Sequence, residues 1–470
     1  MATPTIAPSS ISSTTSAENF EVRFKPKFLE QLPQSAKKVA LLATTEYEGI
    51  FKNGGIGTYY ATLSRKLAQE GWYIILLLFQ TKIEFKGESE IPALKHIFSA
   101  YEAQTVLDLR PIHLAQLSGL KEWDWLEYEN YSALFFTQAI SNHFQDSTVY
   151  VEFAEMCGLG HYTIQAKKAG IIGENCITAV TMHSGQEWIY QANGKYIIDA
   201  PDWYRQACLF EQLSFENADL AFFLSHFLQA KVESFGWKTD RSLYLPYCFP
   251  IMEELLENSQ DLEYPKPSIQ EGKIPIAFFG RLEERKGLQT FIEAIQSLDA
   301  ELAQKIHIVF CGKIVTLYTE ALRHLNSQEY IDRELGEWCD YSIMNGLFSQ
   351  QAVKLVSELP NAIVCLTSPE ENFPNSSLEM GQLPISLIAS ATGGFQETLG
   401  LIERTDCVRW FQPKNSHSLA KAIAQAITAY PEKTMIPDRE FLQNVNQRLL
   451  EKRIEYMESA SHWEPSSLSV

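Results

Sequence analysis

The feature that most constrains the fold is a repeated pattern of short, unbroken apolar runs, each followed by a glycine or polar turn. Residues 38–43 (KVALLA) lead through the glycine turn at 53–57 (NGGIG) into a helical pattern, and a second apolar run, WYIILLLF, follows at 72–79. Strand, glycine turn, helix and strand in succession form a βαβ unit. Because these strands carry no alternating polar residues, we expect a parallel sheet that is covered on both faces.

The same pattern recurs along the chain in two halves of similar size. Further apolar runs of strand length lie at 148–153, 177–182 and 220–224, and again at 274–279, 306–311, 362–366 and 385–389. Between the halves, the polar segment 255–272 contains Pro265 and Pro267 and is the predicted linker. The sequence therefore predicts an α/β protein with two domains.

The domain boundaries follow from these composition changes. An N-terminal domain is predicted at 21–254 and a C-terminal domain at 273–430. Residues 1–20, rich in Ser and Thr, are expected to form a disordered lead-in. Residues 431–470 are expected to form a final helix and a frayed, Ser-rich tail.

The composition excludes several classes of protein. The 470 residues include 39 Lys and Arg against 58 Asp and Glu, and the resulting net charge of −19 disfavours nucleic acid and anionic lipid as partners. No window approaches a spanning apolar helix, and the N-terminus lacks the basic and apolar regions of a secretory signal. The eight cysteines are scattered without zinc-site spacing. We therefore expect a cytoplasmic protein with no nucleic-acid partner and no stable membrane insertion.

The first motif is the glycine loop, in which Lys52 precedes Gly54, Gly55 and Gly57. It lies between a predicted strand and a helix N-terminus, where backbone amides and the helix dipole favour an anion. The loop has neither the Walker pattern nor the spacing of a dinucleotide-binding turn. A tight turn without a ligand is an equal alternative on this motif alone.

The second motif places two cations after the strand at 274–279. Gly280 and Arg281 follow the strand directly, and Lys286 comes five residues after Arg281. Two fixed positive charges beside a helix N-terminus suit a diphosphate leaving group. The alternative is a solvated charged loop in which Glu283 and Glu284 neutralise the cations locally.

The third motif is the segment SPEENFPNSSLE at 368–379, with a pair of glycines at 393–394. Glu371 is predicted in a loop and Glu379 one to two turns into the following helix. Carboxylates are hydrogen-bond acceptors for sugar or ribose hydroxyls. The spacing of the two glutamates alone is weak support, because such pairs are common by chance.

Taken together and in this order, the motifs resemble those of GT-B glycosyltransferases, specifically the retaining family 4 type, with a distant likeness to glycogen and sucrose-phosphate synthases. The resemblance covers most of residues 38–430 and includes the segment ASATGGFQE at 389–397. It implies two Rossmann-like domains with parallel sheets facing across a cleft. The N-terminal domain would bind the acceptor and the C-terminal domain a nucleotide-sugar donor, and the final helix would cross back to the N-terminal domain.

The resemblance also implies roles for single residues. Arg281 and Lys286 would stabilise the diphosphate charge, Glu371 would hold hydroxyls of the transferred sugar, and Glu379 would hold the ribose. His183, at the end of the run at 177–182, would contact the donor sugar near the reacting carbon. The other residues assigned to donor binding are Lys52, Gly54, Gly55, Gly57, Ser225, Gly280, Asn372, Phe373, Pro374, Asn375 and Ser376.

The chain has no Asp-x-Asp pair, so we expect chemistry without a metal or other cofactor, with Arg281 and Lys286 as the electrophilic clamp. The family implies retention by front-side attack, in which Glu371 is not a covalent nucleophile. The acceptor hydroxyl, on a saccharide, lipid or protein, and the oligomeric state are left open. One alternative function is a non-catalytic GT-B-like subunit that binds or stabilises a partner glycosyltransferase; another GT-B activity, such as an epimerase or phosphorylase, is a third.

An aromatic patch near the middle of the N-terminal half also has several interpretations. It contains Trp123, Trp125, Tyr128 and Tyr131 within a segment, 100–145, that is mostly helical in pattern. The patch is a candidate sugar-stacking platform or a partner surface. Simple core packing is the favoured interpretation of the three.

Overall fold

The computed structural model describes residues 27–48, 50, 54–79, 93–99, 125–257, 263–432 and 434–460. The predictions for the lead-in at 1–20, for Lys52, for Trp123 and for the tail after 460 lie outside the described residues. Within them, thirteen strands form two sheets in which every neighbouring pair is parallel. The predicted α/β class with two parallel sheets is therefore confirmed.

The first sheet has seven strands in the order β3-β2-β1-β4-β5-β6-β7. Its strands are β1 (Lys38–Thr44), β2 (Tyr73–Leu78), β3 (His96–Ser99), β4 (Thr148–Ala154), β5 (Cys176–Met182), β6 (Leu220–Phe223) and β7 (Leu243–Tyr244). The second sheet has six strands in the order β10-β9-β8-β11-β12-β13. Its strands are β8 (Ile274–Phe279), β9 (Ile306–Cys311), β10 (Asp340–Met344), β11 (Ile363–Leu366), β12 (Ser386–Ser390) and β13 (Val408–Phe411).

Helices connect the strands of both sheets, as right-handed crossovers between parallel strands require. In the first half these are α1 (Gly55–Gln69), α2 (Trp125–His143), α3 (His161–Lys168), α4 (Gln186–Ala192), α5 (Asp202–Asn217), α6 (His226–Glu233) and α7 (Met252–Glu257). In the second half they are α8 (Leu288–Gln296), α9 (Ala300–Ala303), α10 (Ser327–Leu335), α11 (Ser349–Glu358), α12 (Asn375–Gly381), α13 (Gly393–Leu401), α14 (Ser416–Thr428) and α15 (Arg439–Ala460).

The structure departs from the sequence prediction at the edges of the sheets. The strands β3, β7, β10 and β13 were not predicted, and each is an edge strand. An edge strand has one open side and need not be apolar throughout, so its sequence lacks the continuous run that identifies a central strand. In addition, helix α7 extends into the start of the predicted linker at 255–272.

A cluster of buried apolar side chains joins the two domains. It includes Leu42 and Leu76 of the first sheet, Val364 of the second, and Leu450 and Met457 of α15. A shared apolar core removes water from the boundary between the sheets and favours one relative placement of the domains.

The final helix reaches back to the first sheet through one buried ion pair. Arg453 Nη1 of α15 lies 2.8 Å from Glu152 Oε2 of β4, and the two side chains are 4% and 0% exposed. The hydroxyl of Tyr59, on α1, donates to the same carboxylate. The ring of Tyr59 packs edge-on against His183, with the ring centroids 4.8 Å apart. Helix α15 is therefore connected to His183 through Glu152 and Tyr59.

Candidate active site between the two domains

The predicted site residues gather where strands of the two sheets end. His183 follows β5, Ser225 follows the run that contains β6, and Gly280 follows β8. The turn at 368–373 follows β11. Because the carboxyl ends of parallel strands share one edge of a sheet, ligands of such folds bind outside that edge.

An ion pair between Lys286 and Glu371 forms the centre of the site on the C-terminal side. Lys286 Nζ donates to Glu371 Oε1, and their side chains are 19% and 8% exposed. Burial on its own would raise the pKa of Glu371, but the neighbouring cations of Lys286 and Arg285 hold it below its usual value. The Glu371 carboxylate thus stays ionised in a largely buried position, whereas burial lowers the pKa of Lys286 against the raising effect of Glu371.

Backbone contacts fix the position of Lys286. Its carbonyl oxygen accepts a hydrogen bond from Thr367 Oγ1 at 2.7 Å. The next residue, Gly287, has φ +77°, and a Cβ there would lie 2.2 Å from the carbonyl oxygen of Thr367. Only glycine allows this approach, which brings the loop after β8 against the loop after β11.

Arg281 lies apart from that pair, at the rim of the site. Its guanidinium is 3.2 Å from Glu283 Oε1 and its side chain is 55% exposed. Arg285 contacts the same buried carboxylate at 3.1 Å. Local neutralisation by an acidic neighbour, the alternative raised for this motif, therefore applies to Arg281 through Glu283. Glu284 instead accepts hydrogen bonds from backbone amides at 318–319.

Asn372 points in the opposite direction from its neighbour Glu371. Its Nδ2 donates to the carbonyl oxygen of His183 at 2.6 Å, and its Oδ1 accepts from the hydroxyl of Ser225. Both partners belong to the N-terminal domain. Two consecutive residues of one turn therefore link Lys286 on one side of the cleft to His183 and Ser225 on the other.

His183 is held by a buried glutamate that the sequence analysis did not identify. Its Nδ1 lies 3.1 Å from Glu155 Oε2 and 3.0 Å from the carbonyl oxygen of Thr181. Both partners are acceptors, so the hydrogen-bond network assigns the proton to Nδ1. In the neutral ring Nε2 is then an acceptor, and it is buried without a hydrogen-bond partner among the described residues.

Glu155 remains ionised in this position for a clear reason. Full burial alone would raise the pKa of Glu155, but hydrogen bonds from His183 and from the backbone amide of Ser184 outweigh it and lower the pKa below its usual value. Oε1 accepts from Ser184 N at 2.6 Å and from Gly185 N at 3.2 Å. Glu155 follows β4 directly, so the strand-end rule that identified His183 also applies to it.

The start of α12 contacts a tyrosine that follows β7, at the end of the N-terminal domain. Pro374 precedes the helix, and Asn375 and Ser376 are its first two residues. The hydroxyl of Tyr247 donates to Asn375 Oδ1, and its ring lies edge-on 4.7 Å from the buried ring of Phe373. No sequence signal pointed to Tyr247.

Glu379 lies one turn into α12, as its place in the motif predicted. Ser349 Oγ donates to its carboxylate at 2.8 Å. Burial raises the pKa of Glu379 to about 7, against the effect of Ser349, and the negative charge of Glu48 adds to the increase. Because Glu48 precedes the glycine loop, Glu379 and this loop lie in the same region of the cleft.

The glycine loop lies against α12. A Cβ on Gly55 would be 3.4 Å from Asn375 Nδ2, so α1 begins beside α12. The amide of Gly54 donates to Glu46 Oε2 at 2.8 Å. Gly57 is buried within α1. The amide of Gly54 is therefore occupied by a carboxylate, which an incoming phosphate would have to displace.

A further interdomain contact involves Glu397, which the sequence analysis did not assign. Its two carboxylate oxygens accept from the backbone amides of His226 and Phe227 at 2.8 and 2.9 Å. These amides are the first of α6, so Glu397 caps a helix of the other domain. The sequence signal that could have identified Glu397 is its position three residues after the glycine pair at 393–394.

The described residues contain no group of three or more His, Cys, Asp or Glu side chains arranged to hold a metal ion. In the same part of the chain, no helix has the length and apolar character needed to cross a membrane.

Comparison with known proteins relates part of the chain to a family of glycosyl transferases. Residues 259–439 match the family model "Glycosyl transferases group 1". No curated protein sequence matches the chain.

The fold is shared with several solved structures at low sequence identity. A sucrose-phosphate synthase from Thermosynechococcus elongatus is 16% identical, with a TM-score of 0.57 and coverage of 91% of this chain and 97% of that one. The catalytic domain of starch synthase IV from Arabidopsis thaliana, bound to ADP and acarbose, is 12% identical with a TM-score of 0.60, covering 91% and 100%. HepE from Anabaena, in complex with UDP and glucose, is 14% identical with a TM-score of 0.55, covering 89% and 99%. The chain therefore has the GT-B fold, and residues 259–439 of its C-terminal half match the group 1 glycosyl transferases.

Proposed function

We propose that this protein is a glycosyltransferase that moves a sugar from a nucleotide-diphosphate donor to an acceptor hydroxyl. The observation that carries the proposal is the turn at 371–372, which links the Lys286 ammonium on one side of the cleft to His183 on the other. The GT-B fold and the family match support the same activity. A donor bound there would contact a cation at its diphosphate and polar acceptors at its sugar.

The proposed role of each residue follows from the chemistry of its side chain. Lys286 stabilises the negative charge that develops on the diphosphate as the glycosidic bond breaks. Glu371 is ionised and accepts hydrogen bonds from sugar hydroxyls once the donor competes for Lys286. The free Nε2 of His183 accepts from a further sugar hydroxyl, and Glu155 orients the ring through its hydrogen bond to Nδ1. Glu379 holds the ribose, and Arg281 at the rim is a second, more mobile cation for the diphosphate.

Retention is proposed from the family resemblance, and because no side chain is assigned as a nucleophile, front-side attack is favoured over a double displacement. The proposed reaction retains the anomeric configuration through front-side attack, in which the acceptor oxygen bonds the anomeric carbon and the leaving phosphate takes its proton. The proposal includes no metal and no cofactor besides the donor substrate. Mass spectrometry of an arrested reaction should find Glu371 unmodified, and a glycosylated Glu371 peptide would contradict this mechanism.

The test is donor cleavage by the purified protein. A panel of UDP-, ADP- and GDP-sugars is incubated with and without EDTA, and the released nucleotide is followed over time. We expect slow release from one donor, unaffected by EDTA and lost in Lys286→Ala. Lys273→Ala, which removes a lysine paired with Asp340 in the same domain, is the matched control. Binding and cleavage of no donor would favour the alternative of a non-catalytic partner subunit.

The acceptor and the oligomeric state are left open by this proposal. A cytoplasmic location stays a prediction.

Proton NMR of the product, read at the anomeric position, tests retention directly, because the coupling constant distinguishes the two anomers.

A further inference from the structure

Four aromatic rings on the N-terminal domain form a continuous row, defined here as Trp125, Trp203, Tyr204 and Tyr190. Trp125 and Trp203 meet edge-on at 5.9 Å, and so do Trp203 and Tyr204 at 5.3 Å, whereas the rings of Tyr204 and Tyr190 are tilted at 4.8 Å. The rings come from the starts of α2 and α5 and from α4. Three separate elements thus bring their aromatic side chains to one place.

The outer end of the row is open to solvent. Trp125 is 40% exposed and Trp203 is 42% exposed. Tyr128, by contrast, is buried, so core packing explains that member of the sequence patch but not Trp125. Exposing two large rings side by side has a free-energy cost, and exposed apolar patches of this kind mark interaction sites.

The inner end of the row reaches the candidate active site. The hydroxyl of Tyr204 donates to the carbonyl oxygen and to Oε1 of Gln186, at 2.7 and 2.9 Å. Gln186 is only three residues after His183. The row therefore runs from the surface of the N-terminal domain to the strand end where the reaction is proposed to occur.

The same end also approaches the donor side of the cleft. Lys195 Nζ lies 5.6 Å from the ring centroid of Tyr190 and 6.0 Å from that of Tyr318. Tyr318 belongs to the loop after β9 in the C-terminal domain and is half-exposed. A molecule that lies along the row would enter the cleft between the two domains.

We propose that this row binds an oligosaccharide acceptor of neutral charge, an inference that rests on the proposed transferase function. A sugar ring presents an apolar C–H face and an edge of hydroxyls. The exposed aromatic rings supply apolar surfaces that pack against the C–H face of the sugar. Two carboxylates beside the exposed tryptophans in sequence, Glu127 and Asp202, supply acceptors for the hydroxyls when these compete with Gln206 and Arg205, their present partners.

Charge favours this occupant over two others. The acidic side chains along the row and the net charge of −19 repel a polyanionic glycan and an anionic lipid surface. Of the cations near the row, Arg205 is paired with Asp202, and Lys195 lies over the ring of Tyr190 at the inner end. A neutral saccharide needs no cation and is compatible with this surface.

The experiment measures glycan binding by the full chain. The wild-type protein is applied to an array of neutral gluco-, galacto- and manno-oligosaccharides, and the affinity for each retained glycan is measured by quenching of tryptophan fluorescence. We expect Trp203→Ala and Trp125→Ala to bind the retained glycan about tenfold more weakly, the effect of losing one ring contact, and Trp203→Phe to be intermediate. Trp338→Ala, which removes a tryptophan of similar exposure on the other domain, is expected to bind as the wild type does.

Several results would overturn the inference. The first is that the wild type retains no glycan. The second is that Trp203→Ala binds glycan as tightly as the wild type does and has an unchanged circular dichroism spectrum. The third is that the wild type floats with phosphatidylcholine vesicles and Trp203→Ala does not, which would make the row a membrane surface. Lys286→Ala separates the two proposals, because it should lose donor cleavage and keep glycan affinity. If the wild type cleaves no donor, the proposed function fails. If the wild type cleaves a donor but retains no glycan, or if the tryptophan variants bind glycan as the wild type does, only the glycan proposal fails.

Discussion

The side-chain amide of Asn372 donates a hydrogen bond of 2.6 Å to the backbone carbonyl oxygen of His183, across the boundary between the two domains. The preceding residue, Glu371, is paired with Lys286 of the C-terminal domain. One turn therefore positions groups on both sides of the cleft. Any movement that separates the domains must break the Asn372 contact and shift the histidine away from the donor-side ion pair.

Replacing Asn372 should reduce activity more than stability. Asn372→Ala removes the hydrogen bonds to His183 and Ser225, each worth about 1 kcal/mol. We expect kcat/KM for donor cleavage to fall about tenfold or more. Asn415→Ala is the control, because Asn415 caps α14 and its loss also costs about 1 kcal/mol. If both variants lose the same activity, the Asn372 contact has no special part in assembling the site.

Replacing Lys286 should affect activity and stability through different partners. Lys286→Ala removes the cation proposed for the diphosphate, and we expect a loss in kcat of about 10²- to 10³-fold. The same change leaves Glu371 buried without its partner, so the free energy of unfolding also falls. The double variant Lys286→Ala/Glu371→Gln should recover stability in urea melts without recovering activity. Recovery of activity in the double variant would show that Lys286 acts only through the fold.

The raised pKa of Glu379 predicts a pH dependence of donor binding. Ribose hydroxyls donate to the ionised carboxylate, so binding below the pKa of about 7 releases a proton. Affinity for the nucleoside diphosphate should rise by up to about tenfold per pH unit as pH approaches 7 and level off above it. Calorimetric titration from pH 5.5 to 8.5 measures this dependence. Glu379→Gln should remove it, and a pH profile unchanged in that variant would assign the dependence to another group.

The same pKa has the opposite consequence for the free protein. A carboxyl whose pKa is raised from 4.5 to about 7 by folding binds more protons when folded than when unfolded. Its contribution to the free energy of unfolding is therefore present at low pH and is lost as pH rises through 7. In thermal melts, the stability of the wild type relative to Glu379→Gln should fall as the pH rises from about 4.5 to about 7.

The buried pair of Arg453 and Glu152 should dominate the stability contributed by α15. Arg453→Met leaves the Glu152 carboxylate without its cation in a fully buried position, which should cost about 3 to 5 kcal/mol. Arg448→Met, at an exposed position of the same helix, is the control and should change stability by less than about 0.5 kcal/mol. Adding Glu152→Gln to Arg453→Met should restore part of the loss. Equal effects of the two arginine substitutions would mean that the buried pair makes no net contribution.

Gly394 should be essential to the turn that carries Glu371. A Cβ at this position would lie 2.1 Å from the carbonyl oxygen of Glu371 and 2.4 Å from that of Asn372. Alanine normally stabilises a helix by about 1 kcal/mol relative to glycine, but here it displaces the turn and should abolish donor binding. Gly400→Ala, in the same helix with its nearest atom 3.9 Å away, should keep full binding in a fluorescence titration. Normal binding by Gly394→Ala would contradict the role of the turn.

The central part of the fold was predictable because its physical signals are local. Strands such as β1, β5 and β8 are covered on both faces, so burial makes their sequences continuously apolar. The edge strand β10, with the sequence DYSIM, is half-exposed for most of its length and has no such signal. The glutamate pair at 371 and 379 was likewise visible from the sequence, since both residues belong to one turn and its helix.

The rest of the site depends on contacts between distant segments. Asn372 reaches His183 from the other domain, and Tyr247 reaches Asn375 in the same way. Nothing in the local sequence states which partner an asparagine amide will choose. Glu155 is the exception, because its place after β4 would have identified it if the strand-end rule had been applied to every strand.

The most direct test of the account is a crystal structure of the protein with a nucleotide-sugar that it cleaves, trapped with an unreactive analogue. The account predicts the diphosphate within hydrogen-bond distance of Lys286 Nζ, with Glu371 turned from Lys286 to the sugar hydroxyls and His183 Nε2 facing the sugar. A donor bound outside the cleft, or bound in the cleft with the Lys286–Glu371 pair intact and no protein cation at the diphosphate, would contradict it.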